Sequence, residues 1–71
     1  MKTYKTRTGL TQYMPSVEEI YEAGNDYMGF CLACGNVQEG CEPDARKYKC
    51  EECGKDKVYG GDELTLMGLV Y

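Results

Sequence analysis

Residues 31–35 read Cys-Leu-Ala-Cys-Gly and residues 50–54 read Cys-Glu-Glu-Cys-Gly, and 15 residues separate the two cysteine pairs. Two residues between cysteines allow one tight turn to direct both sulfurs at a single ion, so two such turns supply four thiolates in a tetrahedron. The gap lies at the short end of the range that is typical of four-cysteine zinc sites. The pattern predicts one structural zinc ion, with the ligands Cys31, Cys34, Cys50 and Cys53.

Both cysteine pairs are followed directly by a glycine, Gly35 and Gly54. The chain that leaves such a turn often needs a positive φ, which glycine adopts without steric cost. The start of the chain, residues 1–7, is polar at almost every step and does not resemble a secretory signal, so we expect a cytoplasmic protein with reduced thiols. Five cysteines could not pair completely in any case, which leaves disulfides as the weaker interpretation.

The composition indicates that metal contributes much of the stability. The chain has 71 residues and a formal net charge of −4, and only 11 residues are Leu, Ile, Val or Phe. That is too few for a charged chain of this size to fold by aliphatic burial alone, so we expect one domain that is largely unfolded without metal. A chain with net negative charge is not expected to bind a polyanion such as nucleic acid by default. Because the chain has no histidine, catalysis by an imidazole base and metal sites with histidine ligands are excluded.

The two Cys-x-x-Cys-Gly segments resemble the knuckles of the zinc-ribbon family, and the resemblance covers about residues 27–59. It implies two metal-linked β-hairpins and a structural zinc ion, and it is not specific for function. The whole chain also looks like small zinc-ribbon proteins of unknown function from bacteriophages and prophages, on residues 42–48 before the second knuckle and 58–60 after it. That likeness implies an accessory protein in a bacterial host cytoplasm, with no stated activity.

The expected fold is a small α+β zinc ribbon in a single domain, residues 1–71. A short helix is predicted over 16–24, because Ser16 and Glu19 have the spacing of a capping box and Gly24 can end the helix. The zinc ribbon occupies 27–59, with strand segments near 27–31, 36–38, 46–50 and 57–59. Asp62 and Gly68 bound a C-terminal helical turn over 62–68, with a strand as the alternative there. Residues 1–14 are expected to form an extended arm.

The expected core includes aromatic side chains, because the chain has seven Tyr, one Phe and no Trp. The candidates are Ile20, Tyr21, Tyr27, Phe30, Tyr48 and Tyr59. The fifth cysteine, Cys41, is expected to be a loop thiol held against the sheet.

The sequence favours a non-enzymatic module that binds another protein. A metal with four cysteine ligands has no open position, and the chain offers no phosphate-binding loop and no nucleophile with a partner base. Candidate contact surfaces are the acidic helix face, the loop 39–44 and an apolar tail that could also mediate a homodimer, formed by Leu64, Leu66, Leu69, Val70 and Tyr71. The longest apolar run, residues 28–34, is too short to cross a bilayer, so no membrane role is expected.

Two alternatives come from other functional classes. The stretch around the second cysteine pair is locally basic and flanked by tyrosines, which would suit nucleic acid; its candidate contacts are Arg46, Lys47, Lys49, Lys55 and Lys57. Four cysteines in two knuckles also occur in rubredoxin-like proteins, which would imply an iron electron carrier.

Overall fold

The computed structural model describes residues 1–23 and 27–71. Within these residues it has two small antiparallel sheets and two short helices, as the predicted α+β class requires. With its four-cysteine cluster, the architecture is consistent with a small zinc ribbon. The elements in chain order are β1 (Lys2–Lys5), β2 (Thr11–Met14), α1 (Val17–Ala23), β3 (Gly29–Cys31), β4 (Val37–Gln38), β5 (Val58–Gly60) and α2 (Gly61–Leu66).

The three-stranded sheet, in the order β4-β3-β5, separates two small hydrophobic cores. Successive side chains of a strand point to opposite faces, so Phe30 and Cys31 on β3 face different cores. The same alternation on β5 sends Val58 to the cysteine side and Tyr59 to the helix side. One face of the sheet therefore carries the cysteine chemistry, and the other receives α2 and the chain termini.

The expected N-terminal arm is a β-hairpin rather than a single extended segment. β1 pairs with β2 in the register Lys2↔Met14 to Lys5↔Thr11, and the turn between them is closed by Thr6 N donating to Leu10 O at 2.9 Å. The backbone of β2 also contacts the first cysteine segment, because Tyr13 N donates to Leu32 O at 2.9 Å.

The capping box at the start of α1 is confirmed. Glu19 N donates to Ser16 Oγ at 3.1 Å, and Ser16 N donates to Glu19 Oε1 at the same distance. Ile20 packs against the helix-side core, whereas Tyr21 is 84% exposed, so its predicted place in the core was wrong. The predicted helix end at Gly24 lies outside the described residues.

Two further tyrosines predicted for the core are also exposed, while Phe30 and Tyr59 are buried as expected. Tyr27 has a φ of 51° in the turn before β3, which leaves its ring 59% exposed. Tyr48 extends to the surface, where its hydroxyl donates to the Glu42 carboxylate. Small side chains, chiefly cysteine, alanine and valine, fill the core on the cysteine side and leave these rings outside it.

The strand predicted over 46–50 was wrong, because this segment forms one isolated bridge, Tyr48↔Val58. Its two hydrogen bonds measure 2.9 and 3.0 Å between backbone N and O atoms. Lys47 has a φ of 52°, which is incompatible with a continuous strand. The backbone of the segment therefore pairs with a strand only at its middle residue, Tyr48.

The C-terminal helical turn is confirmed as α2, and the alternative strand is wrong. The helix begins after Gly60, without the side-chain cap expected from Asp62. It ends in a Schellman motif: Leu69 N donates to Leu64 O at 2.9 Å and Gly68, with a φ of 73°, donates to Thr65 O at 3.1 Å.

Most of the apolar tail folds back onto the protein. Leu64 is fully buried, and Leu69 and Val70 pack against the helix-side core. Val17 N donates to Tyr71 O at 2.7 Å, while the ring of Tyr71 lies 4.7 Å beneath the ammonium of Lys2. Leu66 remains 82% exposed. In the described part of the chain, neither helix has the length and apolar character needed to cross a bilayer.

Candidate metal centre

The four predicted ligands meet at one end of the three-stranded sheet. The Sγ atoms of Cys31, Cys34, Cys50 and Cys53 all lie within 4.8 Å of one another. The sulfurs of Cys31 and Cys53 are 3.7 Å apart, and those of Cys34 and Cys50 are 3.6 Å apart. A tetrahedron with metal–sulfur bonds of about 2.3 Å has edges of about 3.8 Å, so this spacing fits a single bound ion. A disulfide would need about 2.05 Å, and all five cysteines are free thiols.

Two backbone turns with the same hydrogen bonds place these sulfurs. In the first knuckle, residues 31–36, Cys31 N donates to Asn36 O at 2.8 Å and Gly35 N donates to Cys31 O at 3.0 Å. The second knuckle, residues 50–55, repeats both bonds at 2.9 Å. Each knuckle contributes one buried and one exposed cysteine to the cluster.

The glycine after each pair allows the turn to close. Gly35 and Gly54 have φ values of 80° and 75°, where a side chain is disfavoured. Their surroundings differ: a Cβ at Gly35 would lie 2.9 Å from Cδ2 of Tyr13, whereas nothing lies within 4 Å of one at Gly54. The hairpin thus covers the first knuckle, and the second knuckle is open to solvent.

Hydrogen-bond donors converge on the sulfur of Cys50. The backbone N atoms of Cys53 and Glu52 lie 3.5 and 3.4 Å from it, and Asn36 Nδ2 lies 3.8 Å away. The N–H of Cys53 is the largest influence that lowers the pKa of the Cys50 thiol, to about 6. Donors that stabilise a thiolate also stabilise a metal-bound sulfur, so these contacts favour Cys50 as a ligand in the folded chain.

The pKa values of two other thiols in the cluster, Cys31 and Cys34, are raised rather than lowered. Loss of hydration raises the pKa of Cys34 to about 12, and burial raises the pKa of Cys31. Neither of these two thiols loses its proton readily at neutral pH when no metal is bound. A metal ion supplies the positive charge that removes these protons, because thiols must be deprotonated to bind it.

The residues present therefore fit a metal ion that prefers thiolate ligands. Four soft sulfur donors in a tetrahedron are typical of zinc and of iron–sulfur sites, and they are poor ligands for magnesium or calcium. When such a site binds zinc, the four sulfurs complete its coordination and the ion has a structural role.

The five basic residues considered for nucleic acid all have exposed side chains, and one of them also pairs with a carboxylate. The side chains of the lysines among them are exposed, at positions 47, 49, 55 and 57. The Arg46 side chain is also 71% exposed, and it donates from Nε to Glu63 Oε1 at 2.8 Å, where the Glu63 side chain is only 9% exposed. Arg46 thus ties α2 to the loop before the second knuckle.

Cys41 lies outside the metal cluster, packed on the cysteine side of the sheet as expected. It is 1% exposed and shares its core with Ala45 and Val58. Burial, followed by the negative charge of Glu42, raises the pKa of its thiol. These surroundings favour a neutral packing residue over a reactive one.

Sequence reasoning missed three polar or aromatic residues around the cluster. Tyr13 covers Gly35, Asn36 reaches Cys50, and the buried Gln38 contacts the backbone of the second knuckle. The spacing of Asn36 and Gln38 was a usable signal, because two amides at alternate positions share one face of a strand.

Comparison with known proteins gives no relative: no family model, no curated protein and no solved structure matches this chain.

Proposed function

We propose that this protein is a non-enzymatic zinc ribbon, a binding module whose fold is organised by one structural zinc ion and which engages another protein in the cytoplasm of a bacterial or phage-infected cell. The observation that carries the proposal is the cluster of four sulfurs within 4.8 Å, formed by two knuckles with the same backbone hydrogen bonds. Zinc prefers the tetrahedral, closed coordination that four cysteine sulfurs offer, which supports it as the bound ion.

A structural role for the ion follows from the ligand set. Four thiolates leave no position for water or substrate, which a catalytic zinc requires. The chain also has no histidine to serve as a general base or as an alternative ligand. Four thiolates and one divalent ion together carry −2, which brings the protein near −6 at neutral pH.

A protein partner is favoured by the surface of α1. Tyr21 is 84% exposed and Val17 is 60% exposed, one helical turn apart on the same face, beside the exposed carboxylates of Glu18 and Glu22. Aromatic side chains are enriched at protein interfaces, and the acidic neighbours oppose a polyanion. This surface, the outer α1 face, fits a partner with apolar and basic groups.

The folding part of the proposal is tested by metal removal. Purified protein is expected to contain zinc and to be colourless, whereas iron bound by four cysteines is red. A strong chelator is expected to abolish the far-UV signal of the folded state, because zinc binding contributes about 10–16 kcal/mol in comparable peptides. An unchanged spectrum and melting temperature after complete zinc removal would refute the structural role.

The binding part is tested by capture from a host lysate with tagged, zinc-loaded protein, with and without nuclease. The matched variants are Tyr21→Ala on the outer α1 face and Leu10→Ala, which removes a 61% exposed side chain at the far end of the hairpin. A defined protein that survives nuclease and is lost only with Tyr21→Ala supports the proposal. If the captured material is instead removed by nuclease and is lost with Lys49→Ala and Lys57→Ala, the protein-binding proposal is refuted and the nucleic-acid function replaces it.

A further inference from the structure

A buried glutamine on β4 contacts the backbone on both sides of a metal ligand. Gln38 Nε2 donates to Lys49 O at 3.1 Å, and Gln38 Oε1 accepts from Glu51 N at 3.0 Å. Cys50 lies between these two contacts. One side-chain amide thus makes the pair of hydrogen bonds that a neighbouring strand would otherwise make.

We infer that Gln38 is a positioning residue of the metal centre, which fixes Cys50 against the sheet that carries Cys31. Gln38 is 8% exposed, and its backbone is held because it pairs with Gly29 in the sheet. Cys31 is on the same central strand as Gly29. The two hydrogen bonds of Gln38, here called the Gln38 bridge, therefore join the two halves of the ligand set through protein rather than through metal.

The orientation of the amide is determined by its neighbours. Its oxygen faces the N–H of Glu51 and also receives Asn36 Nδ2 at 3.4 Å, while its nitrogen faces a carbonyl. The reversed amide would place oxygen against the Lys49 carbonyl. Asn36 Nδ2 also lies 3.8 Å from the Cys50 sulfur, so Asn36 contacts the ligand itself while Gln38 holds the backbone on either side of it.

The second knuckle has few backbone hydrogen bonds to the three-stranded sheet, so a side chain is needed to hold it there. The segment that enters it meets the sheet at the isolated Tyr48↔Val58 bridge, and the residues that follow, 51–57, are exposed. Without the Gln38 bridge, Cys50 would be held against the sheet only by core packing and by the contact of Asn36 with its sulfur, and the metal would have to supply more of the restraint. Partners outside the ligand set typically change metal affinity by about 10–100-fold.

The inference rests on the proposed zinc site, and its test uses the full chain with zinc alone. Gln38→Met keeps the length of the side chain and removes both hydrogen bonds. The matched control is Gln12→Met on β2, where Gln12 Oε1 accepts from the hydroxyl of Tyr4 at 2.7 Å. The dissociation constant for zinc is measured by competition with a chromophoric chelator, and backbone hydrogen exchange is followed by NMR on each zinc-loaded protein.

Gln38→Met is expected to raise the dissociation constant by about 10–100-fold, and Gln12→Met to change it by no more than about twofold. In Gln38→Met the N–H of Glu51 is expected to exchange faster, while that of Gly35 in the first knuckle is unchanged. This selectivity separates positioning from general destabilisation. Equal zinc affinity of Gln38→Met and wild type, or equal acceleration at both amides, would overturn the inference.

If Gln38→Met does not fold, the wild-type protein still decides the question. The side-chain amide hydrogens of Gln38 are expected to exchange at least about tenfold more slowly than those of Gln12, because one of them is bonded to a carbonyl in a buried site. Equal exchange rates would overturn the positioning role. Failure of the wild-type protein to bind zinc would instead refute the proposed function, so the two failures are distinguishable.

Discussion

Alanine at the two knuckle glycines should have unequal effects, although the motif makes Gly35 and Gly54 equivalent. Both have a φ near 80°, so each alanine adopts a left-handed conformation that costs about 1–2 kcal/mol. At Gly54 nothing lies within 4 Å of the new Cβ. We therefore expect Gly54→Ala to lower the free energy of unfolding of the zinc-loaded protein by about 1–2 kcal/mol and no more.

Gly35→Ala adds a steric term. Its Cβ would lie 2.9, 3.2 and 3.3 Å from three ring carbons of Tyr13, and a ring cannot bend out of the way as a flexible side-chain end can. Overpacking of this kind typically costs about 1–3 kcal/mol, so the total loss is about 2–5 kcal/mol. The hairpin must move away from the first knuckle to relieve the contact, which also strains the bond from Tyr13 N to Leu32 O.

The assay is denaturant unfolding at a fixed concentration of free zinc, because ligand concentration otherwise changes the apparent stability. The steric term is isolated by a double-mutant cycle with Tyr13→Ala, in which Gly35→Ala should cost no more than Gly54→Ala. Equal losses for the two single glycine variants, or a Gly35→Ala penalty that persists without the Tyr13 ring, would refute the reasoning.

Three further results are expected. Zinc affinity should fall by at least about 100-fold for each pH unit between 8 and 6 in chelator competition, because the cysteine thiols, whose ordinary pKa is about 8.5, lose at least two protons when metal binds and regain them when it dissociates; a slope below one decade per pH unit would contradict this. Ser16→Ala should lower the free energy of unfolding by about 1 kcal/mol by removing the cap of α1, and Ser16→Thr should restore most of it; equal stability of both variants would contradict the capping role. Arg46→Ala should cost about 1–2 kcal/mol in denaturant unfolding, because it leaves the buried carboxylate of Glu63 without its charged donor, and no measurable loss would contradict that pairing.

The parts of the fold that sequence predicted are those determined by local chemistry. The spacing within each knuckle directs its two sulfurs to one point because each turn is built within six residues, and the capping box of Ser16 and Glu19 is contained within four. The turn at Gly68 is equally local, since the positive φ is supplied by the glycine itself. None of these features depends on which distant segment packs nearby.

The wrong predictions depended on contacts distant in sequence. Ile20 packs on the core and its neighbour Tyr21 does not, because the orientation of α1 depends on the distant segments against which it packs. The strand expected over 46–50 was interrupted by the positive φ of Lys47, a conformation that glycine often indicates in a sequence but lysine does not. The contact of Gln38 with the second knuckle depends on the register of β4, which only the assembled sheet defines.

The central claim is tested most directly by the metal content of native protein in a non-denaturing mass spectrum, with two single-cysteine variants compared under the same conditions. The wild-type chain should carry one zinc ion, and so should Cys41→Ala, because Cys41 is buried outside the cluster. Cys34→Ala should lose the ion or hold it far more weakly. A wild-type chain without metal, or equal zinc content in Cys34→Ala and Cys41→Ala, would contradict the four-cysteine zinc site.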